Sequence, residues 1–251
     1  MSGHSKWSTI KHGKAITDAR RGKLFTKLAK EIIVAARDGG GDPTSNFQLR
    51  MAVQRAKDSN MPNDNIERAI KRGTGEGGEG AQMVEATYEG YGPGGVAIML
   101  ETLTDNRNRT VSDVRSTLTK AGGNMAEAGA VAWQFEQRGV ITVDVDEKQA
   151  EELTMTSIDL GAEDIDSFDS TLQIYSPPGS MEAIRSTLEQ SQAHIRSSEV
   201  SMIPNHTIVL DDKLARQTLR LLDQLEELDD VQRIYSNADF SDEVLENYRD
   251  E

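Results

Sequence analysis

The sequence predicts an α+β fold in several parts, and three features carry that prediction. Up to Gly73 the apolar residues recur at helical spacing, a glycine-rich run Gly73–Gly80 follows, and beyond it the apolar period shortens to two. From Val140 onward the expected elements run strand, helix, strand, strand, helix, strand, the order of a ferredoxin-like unit.

Residues 1–16 read as an extended arm, because Gly3 and Gly13 interrupt any helix. A first helix is expected from about Asp18 to Arg37. Phe25, Leu28, Ala29, Ile32, Ile33 and Ala36 form its apolar face, with Arg20, Lys23, Lys27, Lys30 and Arg37 on the other. Gly39–Gly41 stops it. Asp42-Pro43 resembles a cap followed by proline at the first helical position, so a second helix is expected from there, burying Leu49, Ala52, Val53 and Ala56. Met61-Pro62-Asn63 opens a third, short helix with Ile66, Ala69 and Ile70 inward. Its last turn carries Arg68, Lys71 and Arg72, suited to the negative end of the helix dipole.

After the linker, Val84, Ala86 and Tyr88 alternate with polar residues as a strand, and a Gly-rich turn leads to a second strand near Val96–Thr102. Thr110, with Asp113 three residues on, reads as a capping box for a helix that Gly122-Gly123 terminates. Strands are expected at Val131–Phe135 and Val140–Val145, then a helix over about Glu147–Leu160. A strand near Leu172–Tyr175, a helix Met181–Gln190 and a strand Ser198–Ile203 complete the ferredoxin-like order. His206–Leu210, a helix bearing Leu214, Leu221, Leu225 and Leu228, and Val231–Tyr235 add a further strand–helix–strand. The acidic residues from Ser241 onward are expected to fray.

Net charge over the 251 residues is −14, but its distribution matters more than its sum. Residues 1–30 hold eight Lys/Arg against one acid, and residues 1–80 hold fifteen against nine, a balance of +6. The other 171 residues hold thirteen basic and thirty-three acidic groups, a balance of −20. A basic end on an acidic body is steered end-first onto a polyanion. Cysteine is absent, which removes disulfides and zinc–thiolate sites and suits a reducing cytosol. The basic N-terminus lacks an apolar stretch behind it, and runs such as Val96–Leu100 are too short to span a bilayer. A cytoplasmic protein without membrane partner is therefore expected.

Gly90-Tyr91-Gly92-Pro93-Gly94-Gly95 satisfies the spacing of a dinucleotide-binding loop, but a strand-like segment follows it and Pro93 removes an amide, so a turn between strands is expected. His4, His12, His194 and His206 match no zinc spacing, and the cluster Glu163, Asp164, Asp166 and Asp169 lacks the glycine and terminal glutamate of a calcium loop. With no nucleophile–base motif either, neither catalytic residues nor cofactor, metal or small-molecule substrate are expected. Arg107 and Arg109, in a loop before the capped helix, form a secondary anion site or else pair with local acids. Trp7, between Lys6 and Lys11, either stacks on a base or tucks onto the helical core.

Five motifs in order carry a resemblance that runs from end to end. They are Met1-Ser2-Gly3-His4-Ser5-Lys6-Trp7, Asn60–Ile66 with Ala69–Gly73, Tyr88–Gly95, Thr104–Arg109 and Gly129-Ala130-Val131-Ala132-Trp133. Together they resemble the YebC/PmpR family, to which the mitochondrial translational activator of cytochrome c oxidase also belongs. Asn63 is a mild departure, since many relatives carry lysine there. The resemblance implies a helical domain at 1–78, a discontinuous middle α/β domain at 81–137 plus 207–240, and an inserted ferredoxin-like domain at 138–206. It further implies a non-enzymatic, DNA-binding regulator of transcription, or alternatively a ribosome-associated translation factor that relieves stalls on proline-rich peptides. The residues expected to contact DNA or ribosomal RNA are Lys6, Trp7, Lys11, Lys14, Arg20, Arg21, Lys23, Lys27 and Lys30, extended by Arg68, Lys71 and Arg72. Phosphate contacts carry no sequence information, and no base-reading motif is evident, so the residues themselves favour RNA as the direct target.

Overall fold

The structure is a computed structural model that describes residues 18–75, 83–168 and 170–249. Lys6, Trp7, Lys11 and Lys14 of the expected arm lie outside the described residues, as does the side chain of Arg20.

Three helices come first: α1 (Asp18–Gly39), α2 (Phe47–Asp58) and α3 (Asn63–Gly73). Leu28, Ile32, Ala36, Leu49, Ala56 and Ile66 close their core. The second helix starts later than Asp42-Pro43 suggests. The Asp42 carboxylate instead accepts from the Thr44 amide and hydroxyl in a turn, and Asn46 caps α2 by accepting from Leu49 N. Asn46 is buried because its amide also donates to the Ala35 and Gly40 carbonyls, closing the end of α1. Gly73 is required where α3 meets α1: a Cβ there would stand 2.5 Å from the Ile33 carbonyl oxygen.

The middle sheet is antiparallel in the order β3-β1-β2-β9, built from β1 (Val84–Tyr91), β2 (Ala97–Thr104), β3 (Asn124–Ala126) and β9 (Val231–Ser236). Pairing of β2 with β9 brings distant stretches of chain together, so the middle domain is discontinuous, as the family resemblance implies. Two helices, α4 (Arg107–Lys120) and α7 (Asp212–Glu226), cover one sheet face through Ile98, Leu100, Val114, Leu118, Leu219 and Leu222. Of the Gly90–Gly95 motif, Gly90 and Tyr91 end β1 and the rest makes the turn to β2, with Gly92 N donating to Val96 O at 2.8 Å. Gly94 sits at φ +73°, the left-handed region that a side chain disfavours.

The inserted unit has the sheet order β5-β6-β4-β7, from β4 (Phe135–Asp144), β5 (Asp164–Phe168), β6 (Thr171–Ser176) and β7 (His194–Pro204). Its helices α5 (Glu147–Asp159) and α6 (Met181–Gln190) complete the ferredoxin-like arrangement. The two strands expected around Val131–Val145 are one long strand from Phe135, preceded by a helical turn at Ala132–Gln134. His206–Leu210 contributes only β8 (Ile208–Val209), which pairs with β10 (Ala238–Asp239) apart from the main sheet. The acidic C-terminal stretch is not frayed. It forms α8 (Asp242–Arg249), whose Val244 and Leu245 enter the middle core while the Tyr248 hydroxyl donates to Asp223 at 2.6 Å. Two adjacent apolar residues that reach the core outweigh the local charge.

Candidate nucleic-acid interface

Lys23, Lys27 and Lys30 stand at i, i+4 and i+7 and share one stripe of α1. That stripe does not face open solvent as expected. It docks on the C-terminal end of α7 and the turn after it. Lys23 Nζ lies 2.7 Å from the Glu227 carboxylate, and Lys27 Nζ donates to the Glu226 carbonyl at 2.6 Å. Lys30 Nζ donates to the Asp229 carbonyl at 2.9 Å and to Asp230 Oδ1 at 3.2 Å. The physical reason is twofold: the last carbonyls of a helix lack partners and carry the negative end of its dipole, and here acidic side chains surround them. The hydrogen bond that Lys23 donates to Glu227 holds the pKa of its ammonium above the usual lysine value.

Asp230 is the centre of this seam and is only 6% exposed. Its Oδ2 accepts from Arg109 Nη2 at 2.7 Å, Thr110 Oγ1 at 2.9 Å and Thr104 Oγ1 at 3.1 Å. Burial opposes ionisation, yet Arg109, Thr110 and Lys30 together hold the carboxyl below the ordinary aspartate range. A cleft of about 800 Å³ opens beside it, lined by Lys23, Lys27, Arg109, Asp113 and Asp229 among others.

Arg107 and Arg109 occupy the first turn of α4 rather than a preceding loop. The cap is Asn106, whose side chain accepts from Arg109 N, while the expected cap Thr110 turns its hydroxyl to Asp230 from within the helix. Arg109 pairs with Asp105 and Asp230, and Arg107 donates to the Glu85 carbonyl at 3.3 Å. Of the two readings of this pair, Arg109 follows the one with local acids.

Arg68, Lys71 and Arg72 stand apart from that seam in their exposure. They lie at i, i+3 and i+4 on the last two turns of α3, and all three are exposed. Arg68 donates to the Asp64 carbonyl at 3.1 Å and to Asn65 Oδ1, which fixes its guanidinium on the helix surface. Arg21 is exposed near the start of α1.

Sequence reasoning missed two partners. Glu226–Asp230 was part of a generally acidic body, with nothing local to mark it as the lysines' counterpart. Glu89, in the Tyr88–Gly95 motif, is buried and accepts from the amides of Gly129, Val131 and Ala132 at 2.7, 2.6 and 2.9 Å. The co-occurrence of the two motifs was a signal for this pairing. Among the described residues no group of three or more His, Asp or Glu is gathered to hold a metal, and no helix is long and apolar enough to cross a membrane.

Two family models match the chain: the TACO1/YebC protein N-terminal domain over residues 5–76, and the TACO1/YebC second and third domain over residues 83–238. The chain belongs to the TACO1/YebC family. The family indicated by the five motifs is thus the one found. A relative in Dehalococcoides mccartyi is 55% identical over 99% of this chain and 98% of its own length, and one in Natranaerobius thermophilus is 51% identical over 98% and 99%. Both carry the name "Probable transcriptional regulatory protein". Among solved structures, a conserved hypothetical protein Aq1575 from Aquifex aeolicus matches with a TM-score of 0.81 at 44% identity, covering 90% of this chain and 93% of that one.

Proposed function

We propose that this TACO1/YebC chain is a non-enzymatic regulator of gene expression that binds nucleic acid through its basic helical domain. The observation that carries the reading is the exposed cationic end of α3. Arg68, Lys71 and Arg72 share a face in the segment whose balance is +6, against −20 for the rest. The names of its relatives agree with a regulator of this kind.

One feature of α3 favours a particular mode of contact. A recognition helix of the helix-turn-helix type places its N-terminal residues against base edges. The first turns of α3 instead carry Asp64 and Glu67, and the cations stand at its C-terminal end. Such an arrangement suits phosphate contact and shape recognition, as in folded RNA, more than base reading in a DNA groove. Ribosomal RNA is therefore the proposed direct target, with a role in translation, and promoter DNA is the competing one.

Crosslinking in cells, followed by sequencing of the attached nucleic acid, decides between them. Enrichment of ribosomal RNA that is lost in the variant Arg68→Glu/Lys71→Glu/Arg72→Glu supports this reading. Enrichment of a few promoters sharing a site replaces it with the transcriptional one, and no nucleic acid above background overturns both.

A further inference from the structure

The helical part meets the rest of the molecule on two sides, and the two differ in chemistry. On one side Met51 of α2 enters the apolar cluster of the inserted unit, which includes Ile141, Leu172 and Ile174. On the other, the lysine stripe of α1 meets the end of α7 and the turn after it. Here the apolar clusters of the helical and middle parts share no residue among those described. What joins them is polar: Lys23, Lys27 and Lys30 reach oxygens of Glu226, Glu227, Asp229 and Asp230 at distances between 2.6 and 3.2 Å.

A polar seam of this kind is exchangeable. Ion pairs at a surface contribute little and weaken with salt, and a polar contact between parts of one chain opens more readily than an apolar one. Lys23 and Glu227 are 45% and 47% exposed by side chain, so the rim is already wet. Lys30 and Asp230, at 14% and 8%, hold the closed arrangement from within. The cleft of about 800 Å³ beside them brings solvent to all three lysines, but Asp105, Asp113 and Asp229 share its walls and repel a polyanion.

The stripe also has the dimensions of a backbone contact. Three ammonium groups from Lys23 to Lys30 cover roughly 10 Å of helix, about the rise of three successive phosphates at 3.4 Å each. The carboxylate and carbonyl oxygens of the turn offer these lysines what phosphate oxygens offer, acceptors for charge-assisted hydrogen bonds. Asp230 is meanwhile fixed to the middle domain by Arg109, Thr104 and Thr110, so the turn stays in place when α1 leaves it. Gly73 packs α3 against α1, so the lysine stripe and the cations of α3 belong to one body.

We infer that Glu226–Asp230 is an autoinhibitory stand-in for a nucleic-acid backbone: it occupies the α1 stripe in the free chain, and phosphates replace it on binding. The inference rests on the proposed nucleic-acid function and adds a second contact, available only once the seam opens. A polyanion then binds in two stages, first at the exposed end of α3 and next at α1 by displacing the turn. Its apparent affinity is lowered by the fraction of chains that are closed.

The test uses the full chain and a labelled RNA hairpin, read by fluorescence anisotropy. The variant Glu226→Gln/Glu227→Gln/Asp229→Asn weakens the seam and leaves Asp230 intact. If it raises the open fraction from about a tenth to about a half, RNA binding tightens about fivefold. The same change in charge spread over α5, α6 and α8, Glu151→Gln/Glu182→Gln/Glu243→Gln, should leave affinity nearly unchanged, because isolated exposed charges are screened. An equal gain in both variants shows a general charge effect and overturns the inference. Adding Lys23→Gln/Lys27→Gln to the first variant should abolish the gain, and a gain that persists overturns it as well. A second measurement needs no substitution. A carbodiimide should join Lys23 to Glu227 in the free chain, where they lie 2.7 Å apart, and saturating RNA should suppress that bond several-fold. An undiminished yield with RNA bound shows that the turn is not displaced. Such a result, or no gain in the first variant, while Arg68→Glu/Lys71→Glu/Arg72→Glu weakens binding, overturns the inference and leaves the proposed function standing. A wild-type chain that binds no RNA overturns both.

Discussion

Two carboxylates show what a single side chain contributes here. Glu89 is buried with three backbone amides on its oxygens, and burial, which opposes its ionisation, is outweighed by those bonds, so its pKa lies below the usual glutamate value. Asp230 is depressed for the analogous reason, with Arg109, Thr110 and Lys30 as donors. Glu89→Gln turns an NH₂ toward one of the amides and should cost about 2 kcal/mol. Asp230→Ala strips the donors of Lys30, Thr104, Thr110 and Arg109 of their acceptor, and about 2–3 kcal/mol is expected from denaturant unfolding. Since both folded-state values lie below the unfolded ones, the unfolded chain binds protons first as pH falls. The stabilisation is complete above the unfolded carboxylate range near ~4 and is lost as pH falls through the folded values. Melting curves from pH 6 downward should therefore show a loss that is shallower in Glu89→Gln. An equal loss in that variant would remove Glu89 from the account.

Among elements, the docking of α1 on the end of α7 has a measurable consequence. Lys23 is 45% exposed and its pair with Glu227 is worth little, whereas the Lys30 side chain is 14% exposed beside a buried Asp230. Lys23→Gln should leave stability nearly unchanged, and Lys30→Gln should destabilise by about 1–2 kcal/mol in the same unfolding assay. Reversal of all three lysines to glutamate would set charges against Glu226–Asp230 and separate the helical domain from the middle one, seen as faster amide exchange along α1. Loss of nucleic-acid binding in that variant would thus report on docking as well as on contact. The last helix offers a second check. Truncation after Phe240 exposes the core that Val244 and Leu245 cover, and a loss of about 3 kcal/mol is expected. An unchanged melting temperature would show that α8 adds nothing.

Across the whole molecule, the three parts meet at a charged junction. Glu31 of α1 accepts from Arg55 of α2 at 2.6 Å, Arg55 reaches Glu199 of β7 at 3.8 Å, and Arg233 of β9 lies 3.3 Å from Glu101 of β2 and 3.9 Å from Glu31. Burial works against the Arg233 charge, but Glu31, Glu199 and Glu101 outweigh it and raise its pKa. Glu31→Gln should loosen all three parts together, read as a larger radius of gyration in solution scattering. If about six phosphates are neutralised by the intact chain, log affinity for duplex DNA should fall against log salt with a slope near −5. ATP and NAD should not raise the melting temperature, because the Gly90–Gly95 motif leads from one strand into another and no α-helix follows it to offer its N-terminus to a phosphate. A clear rise with either would reopen an enzymatic reading.

The sequence by itself determined the helical period of α1 and α3, the β1–β2 turn, the ferredoxin-like order and, through five motifs, the family. These depend on local spacing and on residues close in the chain, where periodicity and turn chemistry speak directly. Helix starts at Asn46 and Asn106 were legible only in part, because several residues nearby could each have capped. The C-terminal α8 was hidden because its charges dominate the composition while two buried apolar residues decide its packing. Only the tertiary structure decided where the charges go. It set Lys23, Lys27 and Lys30 against Glu226–Asp230 and left Arg68, Lys71 and Arg72 exposed. A lysine on a polar helix face carries the same local pattern whether it meets solvent, phosphate or a helix end. Its partner is chosen by contacts about two hundred residues away in the chain, beyond the reach of any spacing rule.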